Sequence, residues 1–123
     1  MHHSGQDEGA RNPTPIEERL IQTLIAGHFR GAERLRDQLD GLRVSSIDAD
    51  GSLRLLPVPG AGLADVKQRI PVEASYLDTD SVRVHLLVHV VDGLLNELEV
   101  FREDSGRVLT PPNLVSKMDV IVW

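Results

Sequence analysis

The residues best suited to chemistry lie in one segment, where two histidines are followed by two glutamates. His85 and His89 are four residues apart, a spacing that on a helix would bring both imidazoles to one metal ion. On a β-strand the same spacing separates the side chains by about 13 Å, because each residue advances the chain by ~3.3 Å. One zinc ion, with bonds of about 2 Å, cannot bridge that distance.

The pattern around the two histidines is typical of a half-buried β-strand. Every second residue from Val82 to Val90 is aliphatic, and Arg83, His85 and His89 lie between them. We therefore expect a strand on which the histidines cannot share a metal ion. The sequence predicts no metal-binding residues and no cofactor.

The turn signal Asp92-Gly93 predicts a hairpin, and the register of its strands decides which carboxylates approach the histidines. A two-residue turn would place Leu86 opposite Glu99 and would mix the core and solvent faces of the sheet. A three-residue loop, residues 91–93, keeps the aliphatic side chains together. We predict this loop, which places His85 opposite Glu99.

The predicted register brings four residues together as the candidate catalytic site. His85 would lie beside Glu99, with Glu97 diagonally near and Glu73 approaching from the preceding strand. A histidine beside a carboxylate can act in acid–base chemistry. The same arrangement is also an ordinary cross-strand pair that stabilises a sheet by a few tenths of a kcal/mol. We favour this second interpretation and assign no catalytic residue.

Two aspartate-rich stretches, residues 48–52 and 78–81, are interpreted as turns. An EF-hand calcium loop needs glycine at its sixth position and glutamate at its twelfth, where the first stretch leads to Leu53 and Pro59. Aspartate side chains instead commonly bond their own backbone in turns. Neither stretch is expected to bind calcium.

Two helices are expected before the sheet. Residues 14–17 (Thr-Pro-Ile-Glu) form a capping box, and apolar residues at helical spacing continue to Ile25. A second helix is predicted from Ala32 to Leu39 and ends before Gly41. Residues 1–12 are polar and without periodicity, which predicts a disordered tail.

After the second helix the apolar period changes to two, which indicates strands. Pro71 suggests that the start of its strand lies at a sheet edge, and residues 63–67 are predicted as a helical turn. Besides the hairpin of residues 82–102, strands are expected at residues 42–47, 52–56, 70–76, 108–109 and 118–123. The predicted architecture is a single α+β domain, residues 13–123, with two N-terminal helices packed on one face of a mostly antiparallel sheet of five or six strands.

Composition and charge restrict the partners and the location of the protein. The 123 residues include 19 acidic and 13 basic ones, for a net charge of −6, with four aromatics. The basic residues form no cluster, so neither nucleic acid nor an anionic membrane is an expected partner. No apolar run is long enough to span a bilayer and no signal peptide is visible, so we expect a cytoplasmic protein. The absence of cysteine excludes disulfides and thiolate chemistry.

Four short stretches carry a resemblance to a known family. They read TPIE, QLDGL, DGSL and DGLLNELEVFR, at residues 14–17, 38–42, 50–53 and 92–102. With these pieces the chain from Thr14 to Asp104 resembles a domain-of-unknown-function family of small bacterial proteins. The resemblance implies a stand-alone α+β module and brings no activity or catalytic residue with it.

Two functions are compatible with these observations. The first is a non-catalytic module that binds another protein through its sheet face or an edge strand, and pairing of edge strands would also permit a homodimer. The alternative is a small enzyme or ligand-binding domain that uses the site centred on His85 and Glu99. A concave pocket lined by the four candidate residues would favour the alternative.

Overall fold

In the computed structural model, which describes residues 9–123, two helices precede a six-stranded antiparallel sheet. The α+β fold class is therefore confirmed. The helices are α1 (Pro15–Leu24) and α2 (Ala32–Asp37), and the strands are β1 (Arg43–Ser46), β2 (Leu53–Leu56), β3 (Val72–Leu77), β4 (Arg83–Val91), β5 (Leu94–Arg102) and β6 (Asp119–Val122). The strand order is β1-β2-β5-β4-β3-β6. Neither α-helix of the described chain has the length and apolar character needed to cross a membrane.

Helix α1 begins where the capping box predicts. The Glu17 backbone N–H donates to the Thr14 hydroxyl at 3.1 Å, and the Thr14 N–H donates back to the Glu17 carboxylate at 2.9 Å. Arg11 adds two hydrogen bonds to the same carboxylate, at 2.7 and 2.9 Å. Just beyond the helix, the Ile25 carbonyl accepts a hydrogen bond from Arg36 of α2 at 2.9 Å. Local side-chain contacts thus define both ends of the helix.

Both helices bury their apolar side chains against the same face of the sheet. Alternate residues of β4 are buried, as the period of two predicts. The side chains on the other face of β4 are only partly buried, because neither helix covers that face. The largest fully buried aliphatic side chains are Ile21, Leu24, Ile25, Leu35, Leu86, Leu95 and Leu98.

The central hairpin has a shorter turn than the one we predicted from the sequence. Asp92 and Gly93 form a two-residue turn with φ values of 51° and 80°, and Val91 pairs with Leu94. Positive φ at both central residues is the geometry that matches the twist of antiparallel strands. The predicted three-residue loop, residues 91–93, is wrong.

A β-bulge reconciles this short turn with a continuous core. Val90 pairs with Leu95 but His89 pairs with Glu97, so Asn96 is an extra residue on β5. The extra residue shifts the alternation by one position. Leu95 and Leu98, three residues apart, therefore both face the core. The bulge thereby avoids the mixing of core and solvent faces that a two-residue turn without a bulge would cause.

Two predicted local elements are absent from the described residues. Residues 63–67 form no helical turn; instead the Ala64 N–H donates to the Gly93 carbonyl at 2.9 Å. Residues 108–109 form no strand, because the N–H groups of Val108 and Leu109 donate to aspartate carboxylates at 3.0 and 2.8 Å. In both segments, backbone N–H groups that a helical turn or a strand would use form tertiary hydrogen bonds instead.

The expected edge position of Pro71 is also wrong. Strand β3 lies inside the sheet, between β4 and β6. Pro71 directly precedes β3, where its missing N–H removes no ladder bond, and its carbonyl accepts from the Trp123 N–H at 2.9 Å.

Contacts with the sheet begin inside the stretch that was predicted as a tail. Arg11 and Val44 exchange two main-chain hydrogen bonds of 2.8 Å. Residues 1–8 of the predicted tail lie outside the described residues.

Candidate functional site

The candidate residues lie on the face of the sheet opposite the helices, which we call the outer sheet face. It is formed by the outward side chains of β3 to β6, and these are partly buried or exposed. The pairing of the strands assigns the following residues to it: Glu73, Ser75, Leu77, Arg83, His85, Leu87, His89, Glu97, Glu99, Phe101, Asp119 and Ile121.

The bulge brings His89, rather than His85, next to the two predicted glutamates. His89 pairs with Glu97 across the strands, and its Nε2 lies 2.8 Å from Glu99 Oε1. Only 14% of the His89 side chain is exposed. Its other ring nitrogen, Nδ1, is buried and has no hydrogen-bond partner among the described residues. The imidazole is thus held by packing on one side and by a carboxylate on the other.

His85 has different neighbours from those expected. It lies opposite Phe101, and the two rings stack with centroids 5.2 Å apart and planes 20° from parallel. Its Nε2 lies 3.1 Å from a carboxylate oxygen of Glu103. The predicted pair of His85 with Glu99 is not formed, because the two-residue turn and the bulge each move β5 by one residue relative to the predicted register.

Glu73 is separated from the other candidates. It lies opposite Leu87 on β4, which in turn lies opposite Glu99. The Glu73 carboxylate accepts a hydrogen bond from the Trp123 indole N–H at 2.8 Å. The four predicted residues therefore belong to three separate contacts: His85 with Phe101 and Glu103, Glu97 and Glu99 with His89, and Glu73 with Trp123.

Three of these outer-face residues have the ligand types of a metal site. One ligand atom each from His89, Glu97 and Glu99 can be chosen so that all three lie within 4.8 Å of one another. The alternating pattern of the sequence does not predict this group, because the group depends on the bulge. The signal was present in β5, where Leu95 and Leu98 are three residues apart within an otherwise alternating strand.

A second group that the sequence analysis did not find surrounds Arg102. Its guanidinium lies 3.1 Å from Asp78, 3.0 Å from Asp80 and 2.7 Å from Asp104. The side chains of Arg102 and Asp78 are almost completely buried. Residues 78–81 form the predicted turn, with the Ser81 N–H donating to the Asp78 carbonyl at 2.9 Å. The turn prediction is confirmed, and the turn also supplies two carboxylates to a buried cation.

The Asp78 carboxylate connects the sheet to the segment that leads into β6. Burial raises the pKa of Asp78, but hydrogen bonds from the backbone N–H groups of Leu109, Thr110 and Thr79 and from Arg102 outweigh it and lower this pKa to about 2. Three backbone donors and a guanidinium make this a structural contact, with no open position for a substrate.

Tyr76 lies against the same segment and is also unsuited to proton transfer. Its hydroxyl donates to the Thr110 carbonyl at 2.5 Å. Burial, together with the negative charges of Asp78 and Asp50, raises the pKa of Tyr76 to about 12. The phenol therefore remains protonated near neutral pH.

The candidate residues line neither of two grooves on the described surface. A groove of about 960 Å³ lies between α1 and the segment that ends in β6. Its apolar lining includes Ile16, Leu20, Met118 and Val120, and none of the four predicted site residues contributes to it. This groove therefore gives no support to an enzyme site centred on His85 and Glu99.

Comparison with known proteins identifies one family. A family model described as a domain of unknown function (DUF6984) matches residues 10–112, which confirms the resemblance drawn from the sequence. No curated protein and no solved structure matches the chain. The matched span includes both helices and strands β1 to β5.

Proposed function

We propose that this chain, which belongs to the family described as a domain of unknown function (DUF6984), is a non-catalytic protein-interaction module. The observation that carries the proposal is the exposure of large apolar side chains on the outer sheet face and at its end. Leu77 is 58% exposed, Ile121 56%, Trp123 43% and Phe101 37%. Large apolar side chains exposed on one face of a sheet support a role of that face in binding another protein.

Charge on the outer sheet face indicates the chemistry of the partner. Four carboxylates, those of Glu73, Glu97, Glu99 and Asp119, share this face with Arg83, and Arg54 of β2 lies opposite Glu97 on the same side of the sheet. A partner surface with apolar anchors and a surplus of lysine or arginine would complement it. A second copy of the chain would bring a further charge of −6, and this repulsion disfavours a homodimer.

Strand β6 gives the partner an additional point of contact. Within residues 9–123 it pairs only with β3, and all four of its residues are exposed. The free edge of β6 therefore offers backbone N–H and C=O groups beside the exposed apolar side chains. An extended segment of the partner can pair with this edge while its side chains contact the outer sheet face.

The test uses variants that change the outer sheet face but not the core. Phe101→Ser and Ile121→Ser remove exposed apolar groups from this face, whereas Leu63→Ser removes a side chain that is 64% exposed in a loop. Wild type and variants are immobilised, lysate of the native host is passed over them, and bound proteins are identified. We expect the first two variants to lose a basic partner that wild type and Leu63→Ser both retain.

Two further results bear on the choice of partner. Binding of that partner should weaken as salt rises, because charge complementarity contributes to it. Light scattering should show a monomer at micromolar concentration. A wild-type protein that captures nothing, a partner lost equally from Leu63→Ser, or a stable dimer that buries this face would each contradict the proposal.

A further inference from the structure

We propose that His89, Glu97 and Glu99 bind a divalent transition-metal ion, with zinc as the best match. This inference concerns a site within the chain and does not depend on the proposed partner. One imidazole and two carboxylates form a mixed nitrogen and oxygen set that suits zinc. A site made of oxygen ligands alone would instead favour magnesium or calcium.

The three side chains lie near the spacing that a single ion requires. His89 Nε2 and Glu99 Oε1 are 2.8 Å apart, and one ligand atom from each of the three residues lies within 4.8 Å of the others. Tetrahedral zinc, with bonds of about 2.0–2.2 Å, places its ligand atoms about 3.3 Å apart. Glu97 is only partly buried, so its side chain can move toward the other two ligands without disturbing the core.

The backbone that carries these ligands is constrained. His89 and Glu97 are directly paired residues of the two longest strands, and the pairing is displaced by a bulge immediately beside them. Bulges redirect side chains and are frequent near functional sites. Without the bulge, Glu97 and Glu99 would follow the alternation set by Leu95 and would point to the core side of the sheet.

The charges of this group call for a cation. The Glu97 and Glu99 carboxylates lie close to each other and to the His89 imidazole, and Glu97 forms no salt bridge among the described residues although Arg54 of β2 is paired opposite it. Adjacent like charges on one sheet face are destabilising. A bound metal ion would neutralise both carboxylates.

Binding requires a change in the state of His89. The metal takes the Nε2 lone pair, so the ring proton must be on Nδ1, which is buried without a partner among the described residues. An unpaired buried N–H costs free energy and lowers the affinity of the site. Three protein ligands leave at least one coordination position open toward solvent on the outer sheet face, where water completes the shell.

The experiment measures zinc binding to the full chain by calorimetry and repeats it with Co²⁺, whose visible absorption reports the ligand geometry. All proteins carry His2→Ala and His3→Ala, so that these two histidines cannot contribute. We expect one equivalent of Zn²⁺ to bind, and we expect His89→Ala, Glu97→Gln and Glu99→Gln each to weaken binding by about tenfold or more. Mg²⁺ should not compete.

His85→Ala is the matched control, because His85 lies on the same strand and face but contacts Phe101 and Glu103. It should bind zinc as the parent does. Absence of zinc binding by the parent protein overturns the proposal, and so does equal weakening by His85→Ala. Circular dichroism checks folding; if His89→Ala does not fold, the partly exposed Glu97→Gln decides the outcome. Partner capture is measured without metal, so failure of one proposal is distinguishable from failure of the other.

Discussion

Gln38 shows how much one buried polar side chain contributes to this fold. It is 2% exposed, and its amide NH₂ donates to the carbonyls of Gly62 and Gly93 at 2.7 and 2.9 Å. Its amide oxygen accepts from the Leu95 N–H at 2.9 Å. The Gln38 side chain therefore connects the loop at Gly62, the turn at Gly93 and the start of β5 at Leu95.

Replacing this side chain with an apolar one of similar size is expected to be costly. Gln38→Leu leaves the buried Leu95 N–H without the Gln38 oxygen and removes a donor from two carbonyls, and we expect it to lower the free energy of unfolding by about 2 kcal/mol. Urea unfolding followed by circular dichroism measures this difference. Gln22→Leu, at an exposed position of α1, is the control and should change stability by less than about 0.5 kcal/mol. Equal effects of the two substitutions would show that the Gln38 hydrogen bonds do not stabilise the fold.

At the scale of the elements, the turn of the central hairpin combines a backbone requirement with a close contact. Gly93 has φ +80°, and a Cβ added there would lie 2.9 Å from Leu63 Cβ and 3.0 Å from the Ala64 carbonyl oxygen. Gly60 has a similar φ of +82° but no atom within 4 Å of its Cβ position. An alanine at position 60 would therefore introduce backbone strain alone, whereas an alanine at position 93 would introduce backbone strain and steric overlap.

We expect Gly60→Ala to cost about 1 kcal/mol, which is the strain of a left-handed residue with a Cβ. Gly93→Ala should cost about 3 kcal/mol, because the overlap with the 63–64 segment adds to the same strain. Chemical denaturation of both variants gives the two values. Comparable losses would mean that the loop moves away without cost, and that the contact at Gly93 does not constrain the hairpin.

The capping box of α1 gives a second element-scale prediction. Thr14→Ala removes the hydroxyl that accepts from the Glu17 N–H, and we expect a loss of about 1 kcal/mol. Thr23→Ala is the matched control, because the Thr23 hydroxyl only bonds the Arg19 carbonyl within the helix. Alanine is the better helix former, so this control should be neutral or slightly stabilising. Thermal melting measures both, and a loss in the control as large as that in Thr14→Ala would contradict the role of the cap.

At the scale of the whole molecule, the cluster around Arg102 attaches the C-terminal segment to the sheet. The pKa of Asp78 is about 2, below the ordinary value of 3.8, and Arg102 and the Gly106 backbone lower the pKa of Asp104 to about 2 as well. A carboxylate whose pKa is lower in the folded state stabilises the fold above its unfolded pKa. This stabilisation is lost as the pH falls from about 4 through 2.

We therefore expect acid to release the C-terminal segment, and the emission of Trp123, the only tryptophan, reports its environment. Wild-type emission should be constant down to about pH 4 and should change between pH 4 and 2. Asp78→Asn should be less stable than wild type at pH 7 and should show a weaker pH dependence in this interval, with the remainder due to Asp104. Asp40→Asn, at an exposed position, is the control. An acid transition of Asp78→Asn that coincides with the wild-type transition would exclude this carboxylate as the cause.

Patterns that depend on neighbouring residues could be read from the sequence. The capping box at Thr14 determines where α1 begins, and the alternation from Val82 to Val90 determines a strand with one buried face, because both rest on contacts within a few residues. These local patterns were sufficient for the fold class, for the hairpin of β4 and β5 and for placing His85 and His89 on one face. They also show why the two histidines cannot share a metal ion.

The partners of those histidines were decided by tertiary structure alone. Both a two-residue turn and a three-residue loop satisfy the local chemistry of Asp92-Gly93, and only burial of Leu95 and Leu98 against the helices selects the short turn with a bulge. The same applies to Arg102 and its carboxylates, which the folded chain brings together from separate strand ends. The alternation of apolar and polar residues along a strand indicates which side chains are buried. The register between two strands depends in addition on the free energy of packing against the rest of the chain.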